Sequence, residues 1–340
     1  MIRLRSMRAF DVEPNLPGGT AAPSAASRYA RDLFRTYGIV VAFVILVVAV
    51  GLGNPAFLSS ANIFNMLSQW APAGIMAVGM TYVILTGGFD LSIASGYSLC
   101  AVTAAALGQH VDPWIAYLAA IAVGSLLGLV NGTLIAGASI NPFITTVGTG
   151  FVMGGVTLVL TENAAFIVSE PSFATLGAGR FNGFPFSGIM LIGFLVIGAV
   201  VLARTVYGQA VYAVGGNPEA SRLSGLRVRT VVASTYVLSG FCVGVAGVIT
   251  ASQLNSAQAN IDPAIVFDVL TIVVVGGTSL GGGFGSMWRT AVGIGIIASI
   301  ANGFVLLNIN PFYQDIIKGS IIVGALALDV FARKLAARAR

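Results

Sequence analysis

Residues 204–230 read RTVYGQAVYAVGGNPEASRLSGLRVRT, a polar, basic island between two apolar runs of membrane length. Its middle is written as a short helix. Asn217 suits the N-cap and Pro218 the first helical position, while Glu219 falls in the first turn, where negative charge is favoured. Gly225 suits the left-handed residue that follows a last turn. The spacing predicts a helix of roughly two turns, at about 3.6 residues per turn. So short a helix is not stable alone in water and needs a surface to lie against. Two readings are open on these residues alone: a capped connecting loop, or a docking element for a soluble partner.

Composition explains why an island should stand out. Of 340 residues, 56% are hydrophobic and only 9% charged, with a mean hydropathy of +0.92. Soluble domains carry about 25% charged residues, so a soluble globular fold is excluded. The length is spent instead on crossings of about 20 residues each. The 43 glycines fit helices that approach one another through small residues. The net charge of +5 comes from clustered basic residues and reads as topology, with no nucleic-acid partner. Cys100 and Cys242 lie apart in apolar runs, as packing residues, and His110 has only Asp112 beside it, so no metal site is expected.

The reading is an all-α integral membrane protein of about ten transmembrane helices, with broken or re-entrant segments. Residues 1–35 form a cytoplasmic arm, 36–331 the transmembrane domain with its cytoplasmic loop 206–229, and 332–340 a basic tail. Crossings are expected at 37–52, 63–86, 91–108, 113–135, 141–160, 187–203, 231–250, 264–276, 287–307 and 311–331. The eighth is short, and spanning or re-entrant geometry is open there. Arm, island and tail hold 14 of the 17 Lys and Arg, and residues 36–179 hold none. Positive loops stay inside, which places all three clusters and both termini in the cytoplasm, with 161–186 the longest loop on the far side.

The two halves echo each other. TYVILTGGFDLSIASG (81–96) resembles LTIVVVGGTSLGGGFGS (270–286), and Asn131-Gly132 then Asn141-Pro142-Phe143 resembles Asn302-Gly303 then Asn310-Pro311-Phe312. Related halves with helices broken at matching places are a transporter design, with the solute path between them. The breaks make Gly87, Gly88, Asp90, Ser92, Asn141, Gly276, Gly277, Thr278 and Ser279 candidates for that path. Two readings of the breaks compete with it. The glycines serve close packing or a hinge, and Asp90 caps the helix that starts at Leu91.

Enzyme chemistry finds no footing. Lys318 and Lys334 are the only lysines, neither follows a phosphate-binding glycine loop, and one histidine with scattered acids builds no catalytic set. An ion-coupled secondary carrier needs acidic residues deep in its helices, and Asp90 alone is clearly there.

Five collinear motifs carry a family resemblance: GMTYVILTGGFDLSIASG (79–96), NPFITTVGTGF (141–151), YAVGGNPEASRLSGLRV (212–228), VVVGGTSLGGGFGS (273–286) and NPFYQDIIKGSIIVGALALD (310–329). Together they resemble the membrane subunits of ABC importers for monosaccharides, of the ribose, xylose and arabinose type, over roughly residues 36–331. Glu219-Ala220-Ser221 followed by Gly225 resembles the coupling motif of such permeases, although Gln209 stands where the family usually has arginine.

The resemblance implies the following. Gly215, Gly216, Asn217, Pro218, Glu219, Ala220 and Gly225 would couple the chain to a separate ATP-binding subunit. ATP and Mg would stay on that subunit, leaving this chain without a cofactor. Two permeases would pair as a homodimer or pseudo-dimer. A periplasmic or extracellular sugar-binding protein would dock near 161–186 and 251–263. A neutral sugar needs no counter-charge, in keeping with a path nearly free of charge. Nucleoside or branched-chain amino-acid permeases of the same class would look alike at this level.

Overall fold

The structure, a computed structural model, describes residues 25–259, 262–310, 312–320 and 323–324. The helices are α1 (Ala25–Gly53), α2 (Ser60–Leu85), α3 (Ile93–Gly108), α4 (Pro113–Gly132), α5 (Pro142–Thr161), α6 (Thr175–Ala178), α7 (Phe186–Arg204), α8 (Val206–Gly216), α9 (Pro218–Leu223), α10 (Val228–Leu254), α11 (Ile265–Val275) and α12 (Met287–Leu306). Residues 312–320 are helical as well. Most of the expected cytoplasmic arm, much of the tenth expected crossing and the basic tail lie outside the described residues. Helix α1 starts at Ala25, inside the expected arm. The arm's last residues are good helix formers such as Ala, Arg and Leu, and hydropathy marks where lipid begins rather than where a helix does.

The chain is an all-α membrane protein. Five described helices are long and apolar enough to cross a bilayer by length and composition: Pro113–Gly137, Pro142–Thr161, Phe186–Arg204, Val228–Leu254 and Met287–Leu306. Their outward faces carry large exposed apolar side chains, among them Leu118, Phe151, Val159 and Ile197. The centre is α2, in which every residue from Trp70 to Leu85 is buried. Ile75, Met76 and Met80 pack there with Val243 and Ile249 of α10, Val269 and Ile272 of α11, and Ile294 and Ile297 of α12.

Lipid gives helices little hydrophobic reason to associate, so close packing has to hold them. Helices α4 and α10 meet backbone to backbone along Gly124 and Gly128 on one side and Gly240 and Gly244 on the other. A Cβ on Gly128 would lie 2.3 Å from the Tyr236 carbonyl oxygen, and one on Gly240 would lie 2.2 Å from that of Gly124.

The internal echo is also a local geometry. After α2, Gly87 (φ +82°) donates its N–H to the Ile84 carbonyl at 2.9 Å and Gly88 donates to Val83 at 3.0 Å. After α11, Gly277 (φ +80°) donates to Val274 at 2.8 Å and Thr278 to Val273 at 3.2 Å. Both are the Schellman ending, which satisfies the last carbonyls of a helix that stops short. The Asn-Pro-Phe pieces match too: Asn141 Oδ1 accepts from the Phe143 N–H at 2.9 Å and Asn310 Oδ1 from the Phe312 N–H at 3.0 Å.

At 11 residues, α11 rises about 16 Å, half of a hydrocarbon core of about 30 Å. It is too short to cross alone, and the glycine loop 276–286 turns the chain back into α12, so that Gly276 lies against Arg289 and Gly293 against Ile272. On the other side, the loops around 161–186 and 251–263 are tied together. Strand β1 (Phe166–Ile167) pairs antiparallel with β4 (Ser256–Ala257), while β2 (Arg180–Phe181) pairs with β3 (Phe184–Pro185) within the first loop.

The seam yields a direct expectation. Gly128→Val forces α4 away from α10 and should cost about 3 kcal/mol or more, beyond ordinary overpacking. Gly193→Ala on α7 meets nothing within 4 Å and should be neutral or slightly stabilising. Thermal unfolding of the two purified variants in detergent separates them, and equal melting temperatures would refute the seam.

Candidate functional site

The island folds as two helices rather than one. Thr205 caps α8 by accepting the Gly208 N–H at 3.1 Å. Helix α8 was hidden in the sequence by Gly208, Gly215 and Gly216, which weaken any helical pattern. Val211 buries against Tyr82 and Leu85 of α2, Leu202 of α7 and Met287 of α12, and Val214 is buried as well. Tyr212 Oη donates to the Gly285 carbonyl at 2.9 Å, and Tyr207 Oη and Ser234 Oγ are 2.9 Å apart.

Helix α9 then turns outward with the expected cap. Asn217 Oδ1 accepts the Ala220 N–H at 2.9 Å and Pro218 is the first helical residue. Glu219 pairs with Arg222 at 2.6 Å, and the guanidinium holds the Glu219 carboxyl below its usual range. Gly225, at φ +86°, donates to Arg222 at 3.0 Å while Leu226 donates to Ser221 at 3.0 Å, a third Schellman ending. Gly216, Asn217, Pro218, Glu219, Ala220 and Gly225 are all exposed, and so is Leu223, at 75%. A short helix with an ion pair, an apolar residue and both ends satisfied is a ready contact surface.

Gly215 ties this surface to the interior. The Gly283 N–H donates to the Leu85 carbonyl at 2.9 Å, and a Cβ on Gly215 would sit 1.7 Å from that same oxygen and 2.6 Å from the Gly283 nitrogen. Gly282 lies against Gly87 and Gly215 in the same way. The end of α2, the end of α8 and the loop before α12 therefore meet through bare backbone. Gly87, Gly88, Gly215 and Gly216 are gathered at this junction. Gly276, Gly277, Thr278 and Ser279 lie on the loop that reaches it. In that loop the hydroxyls of Thr278 and Ser286 are buried with no hydrogen-bond partner among the described residues.

Asp90 and Ser92 belong to a separate cluster. Asp90 is 2% exposed, and its Oδ1 accepts the Ser92 N–H at 3.2 Å and the Ser92 hydroxyl at 2.5 Å. Its Oδ2 accepts the Ser239 hydroxyl of α10 at 2.9 Å. Asn131 of α4 donates to Ser92 Oγ at 2.8 Å, and Thr149 of α5 donates to Asn131 Oδ1 at 2.7 Å. The expected cap at Leu91 is corrected: α3 begins at Ile93, and Asp90 closes the turn that precedes it. The carboxylate accepts from Ser92 and from Ser239 of α10 rather than from the first-turn amides of α3, and the helix starts two residues later than expected. The void beside this group is about 10 Å³, room for one water at most. Asn141 is not part of the cluster; it caps α5 from an exposed position. Asn131, Thr149 and Ser239 were not singled out in the sequence, since isolated Ser, Thr and Asn in apolar runs give no local signal.

Five described helices long and apolar enough to cross, two further apolar helices, α2 and α11, that stop at glycine pairs, and an exposed capped helix joined to those breaks fit a multi-pass membrane transport protein. Residues 62–326 match the family described as branched-chain amino acid transport system / permease component, and the chain belongs to that family. It is 39% identical over 288 residues to the ribose import permease protein RbsC of Bacillus subtilis (84% of this chain, 89% of the relative). Identity to RbsC of Escherichia coli K12 is 36% over 295 residues (85% and 92%). To the L-arabinose transport system permease protein AraH of Escherichia coli K12 it is 33% over 317 residues (93% and 96%). No solved structure matches.

The Asp90 cluster is testable. Asp90→Asn can still accept from Ser92 and donate to the Ser239 oxygen, and should cost about 1 kcal/mol. Asp90→Leu strands several donors and should cost about 3 kcal/mol or more. Thermal unfolding and solute uptake are the measurements. A folded, abundant Asp90→Asn protein with no uptake would contradict a structural role and favour a proton relay.

Proposed function

We propose that this chain is the membrane-spanning subunit of an ATP-driven ABC importer that carries a monosaccharide, a pentose or hexose, across the bacterial cytoplasmic membrane. One observation carries the reading: an exposed, doubly capped helix, α9, joined through α8 and Gly215 to the backbone where α2 ends. The relatives add the substrate class, because those named above are named for ribose and arabinose.

In this reading a separate ATP-binding subunit, which holds ATP and Mg, docks on α9 and the loop 206–229 in the cytoplasm. Both termini lie on that side. A second permease copy completes the path, and a periplasmic or extracellular sugar-binding protein meets the β1–β4 face opposite. A push on α9 reaches the breaks after α2 and α11 without passing through a flexible side chain, since Leu85, Gly215 and Gly283 touch as backbone. The exposed face around Leu223 gives the partner an apolar anchor beside the Glu219–Arg222 pair.

Gly225 offers the decisive variant. A Cβ there meets nothing within 4 Å, so only its left-handed backbone resists substitution. Gly225→Val should strain the turn by about 1–2 kcal/mol, enough for about a tenfold loss of docking. Gly225→Asn tolerates the left-handed region and should keep most function. Co-purification of the ATP-binding subunit and sugar uptake in reconstituted vesicles are read together. Normal values for the valine variant would reduce the island to a connecting loop.

Orientation has its own check. With Cys100 and Cys242 replaced, a cysteine at position 217 should react with an impermeant reagent only from the cytoplasmic face. Labelling from outside intact cells would invert the topology.

A further inference from the structure

A cavity of about 580 Å³ opens among α2, α3, α10, α11, α12 and residues 312–320, beside the middle of α2 and the end of α10. Trp70 lies 15 residues before Leu85 on α2, about 22 Å along the axis. The volume falls in the usual range for small-molecule sites, about 300–1,000 Å³. None of the glycines or acids singled out in the sequence as path candidates lines it.

Its lining is chemically specific. Gln253, whose amide N–H donates to the Ser68 carbonyl at 3.0 Å, and Asn302, paired with Asn62 at 2.9 and 3.0 Å, keep further amide valences at the lining, Trp70 and Tyr97 add aromatic rings, and Asp268 pairs with Lys318 at 2.6 Å across the cavity wall. The two charged side chains are only 14% and 16% exposed. An ion pair this withdrawn from water rarely repays its desolvation through stability alone, and ionisable residues among membrane helices mark solute paths. A carboxylate accepts two hydroxyls, an ammonium donates to hydroxyl oxygens, and amides do both. Asp262 adds a second carboxylate to the lining, where it accepts the Ala264 N–H at 3.1 Å, so the cavity offers strong polar partners of both signs with one negative charge in excess. Aromatic rings suit the apolar C–H face of a sugar ring.

We propose that this cavity is the far-side binding site for a monosaccharide within the permease, and that the Asp268–Lys318 pair contacts its hydroxyls. The proposal rests on the importer reading and adds the residues that meet the sugar before it moves inward.

The test reads the cavity directly. Ala301 lines it, so Ala301→Cys in a background with Cys100→Ala and Cys242→Ala gives a reporter for a water-soluble maleimide. The purified chain in lipid nanodiscs is labelled with D-ribose, L-arabinose, D-xylose or D-glucose present, and with glycine as a non-sugar control. At least one sugar should slow labelling about threefold, and glycine should not. In the Asp268→Asn, Lys318→Gln double variant, which orphans neither charge, the protecting concentration should rise about tenfold, the weight of one charge-assisted hydrogen bond. Asp268→Glu keeps the pair but shifts the carboxylate, and should change which sugar protects best. That variant serves if the double one does not fold.

No protection by any sugar would overturn the proposal. So would unchanged protection in a folded double variant, or an unchanged sugar order in Asp268→Glu. Uptake by the unsubstituted chain, reconstituted with its ATP-binding subunit and binding protein, is measured separately. Uptake without protection removes the cavity site and leaves the importer intact, whereas protection without uptake counts against the importer reading alone.

Discussion

The carbonyl oxygen of Leu85 is released when α2 stops, and the N–H of Gly283 meets it at 2.9 Å. In a protein wrapped by lipid, a backbone group left without a partner costs several kcal/mol, roughly half of what a domain has to spare. Every broken helix here must therefore hand its last carbonyls to something. The Schellman endings at Gly87 and Gly277 settle the carbonyls nearest each break, and Gly283 reaches in from another segment to settle Leu85. Because Gly215 packs flush against the same oxygen, no side chain fits at that position. One hydrogen bond thus sets how closely α2, α8 and the loop before α12 approach, and with them where α9 stands.

Elsewhere the helices are held by two substitutes for the hydrophobic effect. One is the glycine seam of α4 and α10, where bare backbones gain dispersion contacts over a long shared face. The other is the polar chain from Ser239 through Asp90, Ser92 and Asn131 to Thr149, which stitches four segments together in an apolar interior. Such a chain tolerates little, since each member satisfies the next.

Much of this was legible from the residues. Apolar run lengths located the five described helices that are long and apolar enough to cross, because a bilayer sets a minimum length for each. The Asn217-Pro218-Glu219 and Gly225 pattern located α9 and its ends, because capping is a local matter of a few residues. The echo of GGFD and GGTS was visible as letters and returned as matching backbone turns. Asn131, Thr149 and Ser239 were not legible as partners of Asp90, since their meeting depends on how distant helices pack. Helix α8 escaped because three glycines mask it, and it forms through tertiary burial of Val211 and Val214. The Asp268–Lys318 pair joins residues 50 positions apart near segment ends, where each charge taken alone reads as a boundary.

The shortness of α11 has an electrostatic side. Aligned peptide dipoles leave about half a negative charge at each helix C-terminus. Helices α2 and α8 both end at the glycine junction, and α11 ends one loop away, so their negative poles gather in one region. Arg289 answers them: its Nη1 donates to the Gly277 carbonyl at 3.4 Å, while its guanidinium lies 4.9 Å from the Phe284 ring centre and 5.3 Å from that of Trp288. The guanidinium keeps its charge at any working pH, so the field it cancels stays cancelled. One positive charge thus stands where three helices run out, two residues into α12.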